Sequence, residues 1–200
     1  MLNRESHYDE VFDAQLHFRM ILDAMAKPGV IKIIDGIKIN PPMGIHHSSI
    51  LIGFALFNAD ASFCSLQLNQ KEITDYLVLN TGGLSILKNA ADFIFINGLQ
   101  SSELLSSIKI GTLEYPENGA TVIIDVENIS DCFREGYKGL KLSGPGIADE
   151  HHVFVNGLND TIISFRSEIN SEYPLGVDLI LTDEHHKMVC IPRTSKIILE

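Results

Sequence analysis

Between Asp92 and Asn97 the chain runs Phe93-Ile94-Phe95-Ile96, four large apolar residues with no polar break. A strand with one wet face alternates apolar and polar residues, so an unbroken run suits a strand covered on both faces. Ala120 to Val126 carries a second run of this kind. A sheet hidden on both sides needs a layer on each side, and the rest of the chain offers helices to build them.

Asp9 to Lys27 reads as a helix, with Phe12, Leu16, Met20 and Ala24 recurring every four residues and Phe18, Ile21 and Met25 widening the stripe. Pro28-Gly29 stops it, and Val30 to Ile34 follows as a short strand. Ser48 or Ser49 is placed to cap a helix running to about Phe57. Ser62 to Leu66 reads as a strand, Asn69 to Leu77 as a helix capped by Asn69, and Ser101 or Ser102 as the cap of a short helix reaching Ile108. Gly139 to Leu142 is a further short strand and Asp160 to Ile169 a helix. Val177 to Thr182 and Met188 to Pro192 form a hairpin across a polar loop, Asp183 to His186, for which solvation is the simplest account. Alternating helices and strands with an antiparallel pair near the end give an α/β class with a mixed sheet, in one domain over residues 1–200.

Charge excludes some roles. Lys plus Arg number 15 against 26 Asp plus Glu, a net of −11. A nucleic-acid binder works by neutralising phosphates, and a protein of anionic membranes needs basic clusters, so both classes are set aside. A local pocket for one small anion is compatible with the global field. The first ten residues lack a leader's apolar core, and the longest apolar run, around Ile50 to Phe57, is too short to span a bilayer. Cys64, Cys132 and Cys190 are odd in number and widely spaced, which suits buried free thiols in the cytoplasm.

Candidate chemistry is sparse. The pairs His46-His47, His151-His152 and His185-His186 lack zinc spacing, and neighbours on a strand point to opposite faces, so no metal site is expected. Gly144-Pro145-Gly146-Ile147-Ala148-Asp149 approaches a dinucleotide fingerprint but lacks the third glycine, so a tight turn explains it better. Walker, nucleophile-elbow and paired-carboxylate patterns are absent. Arg19 in the first helix and Arg193 after the last hairpin strand can each fork onto an anion or pair with a local acid such as Asp23 or Asp178. Asp178 sits inside an apolar strand and needs a partner or a shifted pKa there.

Four segments, in order, carry a family resemblance. They are Phe18-Arg19 through Ala24-Met25-Ala26-Lys27-Pro28-Gly29; Gly111-Thr112 with Pro116-Glu117-Asn118-Gly119-Ala120-Thr121; Leu142-Ser143-Gly144-Pro145-Gly146-Ile147; and Pro174-Leu175-Gly176-Val177-Asp178-Leu179-Ile180-Leu181 leading to Ile191-Pro192-Arg193-Thr194. Together they resemble the PhnH family of the carbon–phosphorus lyase system. Gly36 to Phe63 and His151 to Asn170 carry little of the likeness.

The resemblance implies a three-layer α/β/α sandwich similar to pyridoxal-phosphate-dependent transferases but without the cofactor. It implies a homodimer that joins other Phn subunits. It implies that, with those subunits, such a chain is required for transfer of the ribose triphosphate of ATP to an alkylphosphonate with displacement of adenine. Gly29, Gly144, Gly146 and Gly176 would then shape turns and Pro28 and Pro192 would fix φ, with Arg19 and Arg193 as anion ligands and Asp178 orienting one of them. Two other readings stay open: a dimeric small-molecule-binding module, and an autonomous transferase with a pyridoxal-phosphate-like pocket, for which none of the ten lysines has a recognisable context.

Overall fold

The computed structural model describes residues 4–34 and 36–200. Residues 1–3 of the segment read above as lacking a leader's core lie outside the described residues. Helices are α1 (Phe12–Ala26), α2 (His47–Leu56), α3 (Gln70–Thr81) and α4 (Asp160–Ile169). Strands are β1 (Lys32–Ile33), β2 (Ser62–Ser65), β3 (Leu84–Ser85), β4 (Phe93–Asn97), β5 (Thr121–Asp125), β6 (Asn128–Ser130), β7 (Lys138–Ser143), β8 (His151–Asn156), β9 (Asp178–Thr182), β10 (Lys187–Ile191) and β11 (Lys196–Leu199).

A seven-stranded mixed sheet has the order β1-β10-β9-β5-β4-β2-β3. Strands β3, β2, β4, β5 and β9 run parallel; β10 alone is reversed, pairing antiparallel with β9 on one side and with β1 on the other. The apolar runs take its centre, and pleating splits their side chains between two cores. Phe95, Ile123 and Ile180 enter one core with Ile21 and Ala24 of α1, Ile50 and Phe54 of α2, and Tyr76 and Leu77 of α3. Ile94, Ile96, Val122, Ile124, Leu179 and Leu181 enter the other, with Ile162 and Ile163 of α4 and Leu140, Leu142, Val153 and Val155. Those last four belong to a second, antiparallel sheet, β11-β7-β8-β6, that shares this face with α4.

The α/β class and the mixed sheet follow the sequence expectation, as does α4. Most of the second sheet does not. Of its strands only β7 matches an expected one; β8 opens on a histidine pair, β6 is three residues long, and β8 and β11 each carry an apolar run of only three residues. In the first helix the buried line is His17, Ile21 and Ala24 rather than Phe12 and Leu16. Phe12, Leu16, Phe18 and Leu22 are left exposed, with Phe12 at 74%. The short helix after Ser101 is a single 3-10 turn, Ser102–Leu105. Among the described residues no helix is long and apolar enough to cross a membrane.

Candidate functional site

The central strands β4, β5 and β9 have two ends, and polar chemistry gathers at both. At the start of β5 and β9 lies Arg193. Its guanidinium and backbone N–H hold Asp178: Nη2 donates to Oδ2 at 2.6 Å and the backbone N–H to Oδ1 at 2.6 Å. The fork also donates to the carbonyls of Pro116 and Gly119. Three segments far apart in sequence, Pro116–Gly119, Asp178 and Pro192–Thr194, are thereby tied into one knot. Arg166 of α4, which the sequence reading did not single out, adds a second tie. Its Nη2 donates to the carbonyls of Pro192 (2.7 Å) and Ser195 (3.1 Å), and burial pulls its pKa down to about 10.

The remaining motif residues pack at the same end. Gly29 donates its N–H to the Cys190 carbonyl, next to Pro28 at the end of α1. Gly144 lies against the backbone of Thr194 and Ser195. At Gly146, with φ of +85°, a Cβ would lie 2.5 Å from the Ala26 carbonyl, so only glycine allows the approach. Gly176 faces Asn170, whose side chain accepts from Val177 N–H and donates to the Val177 carbonyl. The four segments of the family resemblance therefore meet in space. Arg19 does not join them: it is exposed on α1, and its neighbour Asp23 pairs with Lys27 and Lys32.

The opposite end holds a cleft of about 430 Å³. It opens outside the carboxyl ends of β4 and β5, the place where open α/β sheets bind ligands. Lining it are His46, Asn97, Asp125, Glu127, Asn128, Tyr137, Asn156 and Glu184, and no lysine or arginine is among its described lining residues. Asp125, the last residue of β5, is 2% exposed. Four donors surround its carboxyl. Oδ1 is met by the hydroxyls of Ser49 (2.5 Å) and Thr182 (3.1 Å), and Oδ2 by the His46 backbone N–H (2.9 Å) and Gln67 Nε2 (3.0 Å). The carboxyl thus sits on the N-terminal turn of α2, whose dipole favours negative charge.

Burial nonetheless holds the Asp125 pKa above the ordinary carboxylate range, against the opposing pull of His46, the two hydroxyls and the backbone N–H. Proton counting agrees. Ser49 and Thr182 also contact each other at 2.7 Å, so three contacts share two hydroxyl protons.

His46 caps α2 with its backbone and turns its ring to the cleft. Its Nδ1 lies 3.2 Å from the Thr182 carbonyl and 3.8 Å from Asp125 Oδ1. A carbonyl only accepts, so Nδ1 carries the proton in that contact and Nε2 is the free nitrogen.

Ser48 or Ser49 was the expected cap of α2; the cap is His46, both serines lie buried in the first turn, and Ser49 serves Asp125. Asp183 to His186 were expected to be solvated. Asp183 is instead buried and accepts from the N–H groups of Ile129, His185 and Lys187. Of the pair at the start of α2, His46 lines the cleft while His47 meets the ring of His186 at 4.8 Å. Cys64 and Cys190 are buried free thiols, whereas Cys132 is exposed. The missed signal was Asp125 itself. The rule that a carboxylate in an apolar strand needs a partner was applied to Asp178 and holds equally for Thr121-Val122-Ile123-Ile124-Asp125.

Against known proteins, residues 5–198 match the family model described as bacterial phosphonate metabolism protein (PhnH). A relative from Rhizobium meliloti (strain 1021), named alpha-D-ribose 1-methylphosphonate 5-triphosphate synthase subunit PhnH, is 28% identical over 191 residues, covering 94% of this chain and 92% of the relative. A second, from Stutzerimonas stutzeri, named putative C-P lyase subunit protein HtxG, is 34% identical over 187 residues, covering 93% and 86%.

Proposed function

Because the chain belongs to the PhnH family, whose relatives are named as subunits in phosphonate metabolism, we propose that it works as a non-autonomous subunit of the carbon–phosphorus lyase complex. With partner subunits it takes part in moving the ribose triphosphate of ATP onto an alkylphosphonate, with loss of adenine. This reading is supported by the name of the Rhizobium relative. The observation that carries it is the division of labour between the two ends of the sheet. Arg193 and Asp178 are occupied in joining the family's segments, and the cleft offers no lysine or arginine among its described lining residues for a triphosphate. The cations such a substrate needs then come from neighbours. Arg19, exposed on α1, is the candidate here for reaching an anion or an acidic partner.

The exposed apolar line of α1, with Phe12, Leu16, Phe18 and Leu22, supports a chain that works in association, as a homodimer alone and beside other Phn subunits in the complex. Cytoplasmic residence and a fold kinship with pyridoxal-phosphate-dependent transferases, without the cofactor, complete the proposal.

Co-purification with the other Phn subunits tests it, together with release of adenine from ATP in the presence of methylphosphonate. The assembled complex should turn over and a complex lacking this chain should not. Turnover by the isolated chain, or failure to bind any partner at low salt, would overturn the reading. A folded, assembling Arg19→Ala/Arg193→Ala double variant that still supports growth on methylphosphonate would remove both arginines from any ligand role.

A further inference from the structure

We propose that strand β11 is a docking edge for a second copy of this chain, the two β11 strands pairing antiparallel with Ile198 on the two-fold axis. Glu200 donates its N–H to the Gly139 carbonyl, so these two residues form a hydrogen-bonded pair between β11 and β7. Such pairs recur at every second residue. The backbone groups of Lys196 and Ile198 therefore turn toward β7, and those of Ile197 and Leu199 turn outward. Among the described residues no hydrogen bond reaches these outward groups, and β11 is the last strand of its sheet. The other edge of the same sheet is closed: Ile129 of β6 donates its N–H to Asp183, and its carbonyl accepts from Lys187. An edge left open is a template for another strand.

Charge and register select the occupant. With Ile198 opposite its own copy, Ile197 falls opposite the partner's Leu199, and the outward groups of both exchange hydrogen bonds on each side of the axis. Lys196 falls opposite the partner's Glu200, an opposite-charge pair that symmetry repeats. Residues 196, 198 and 200 share the solvent face of the strand, where Ile198 is 54% exposed. Ile197 and Leu199 share the other face, and Ile197 packs there against the core that holds α4. Pairing covers the two Ile198 side chains with each other and sets the half-covered Leu199 beside the partner's Ile197. Slipping the register by two residues parts Lys196 from the partner's Glu200, so charge fixes the alignment. Helix α1 is the poorer surface for a like copy, because Arg19 lies within its exposed apolar line and two-fold packing there brings two guanidiniums together. A contact of one short strand is small, so the pairing depends on concentration. It rests on the homodimer in the function proposed above and gives that homodimer a surface.

Analytical sedimentation of the full chain from micromolar to millimolar concentration tests this, with urea midpoints confirming that each variant is folded. Wild type should dimerise. Lys196→Glu and Glu200→Lys should each weaken the dimer about 10-fold, and the double exchange Lys196→Glu/Glu200→Lys should restore it. Rescue by the exchange separates a contact between copies from the pairing of Glu200 with His152 inside one copy. Leu199→Pro should abolish dimerisation and spare the fold, because it removes an outward N–H and none that bonds β7. Amide exchange at Ile197 and Leu199, fast in dilute chain, should slow as the chain is concentrated, while β3 should not change. A dimer of unaltered strength in Lys196→Glu and Leu199→Pro would overturn the β11 surface and leave the homodimer standing. A chain still monomeric at millimolar concentration would overturn both, with subunit membership decided separately by co-purification.

Discussion

Asp125 makes a prediction that runs against intuition for a buried, well-bonded acid. Its neighbours leave one contact among Oδ1, Ser49 and Thr182 short of a proton, and burial raises its pKa. An unfolded aspartate titrates near pH 4 (about 3.9). Between that pH and the raised folded value, the folded chain holds one more proton than the unfolded chain. The stability contributed by this group is therefore full at low pH and lost as pH rises through the folded pKa. Asparagine carries the extra donor permanently. Asp125→Asn should match wild type at low pH and gain on it as pH rises; urea midpoints measured from acid to neutral pH check this, and a variant that loses ground with rising pH would refute it. Arg193 gives the opposite case. Its side chain is 14% exposed and that of Asp178 20%, so truncation strands a largely buried carboxylate. Arg193→Ala should destabilise by about 3 kcal/mol, whereas Arg19→Ala, on an exposed helix face, should stay within about 0.5 kcal/mol. Equal urea midpoints for the two variants would show that Arg193 is not the tie described.

At the scale of elements, the turns matter more than the helices they join. Gly146 has φ of +85° with a carbonyl where a Cβ would go, and Gly82, closing α3, has φ of +74° in open space. Both substitutions incur the left-handed penalty, and only one adds a backbone clash. Gly82→Ala should cost about 1 kcal/mol and Gly146→Ala about 2–3 kcal/mol, read as the difference in denaturant midpoints. This contrast also marks what was legible beforehand. The Gly144-Pro145-Gly146 turn, the stop after α1 and the β9–β10 hairpin have local signatures and were readable as such. So were the central strands, because an unbroken apolar run has few other uses. The cleft was not readable, because its parts lie at the ends of α2, β4, β5 and β9 and come together only when the sheet forms. Ser49 reads locally as a cap, and only the parallel pairing of β5 with β9 sets Asp125 beside Thr182.

The whole molecule is organised around one buried sheet with unlike layers, α1–α3 on one face and α4 with the second sheet on the other. One end of that sheet is closed by Arg193, Arg166 and the glycine turns; the other is left open as a polar cleft. Stability should follow the same geometry. Amides of Ile94–Ile96, Val122–Ile124 and Leu179–Leu181 lie in strands hydrogen-bonded on both sides and covered on both faces, so they open only with the global transition. Strand β3 is a two-residue edge, and β11 is the exposed edge of the second sheet. Native-state hydrogen exchange should therefore be slowest in β4, β5 and β9 and fastest in β3 and β11. The cleft end of β5 should be as protected as its start, since Asp125 is braced by α2 as firmly as Thr121 is by its neighbours. Early exchange at Ile124 and Asp125 would mean that the cleft opens by local unfolding, and a pre-positioned His46 could not then be maintained.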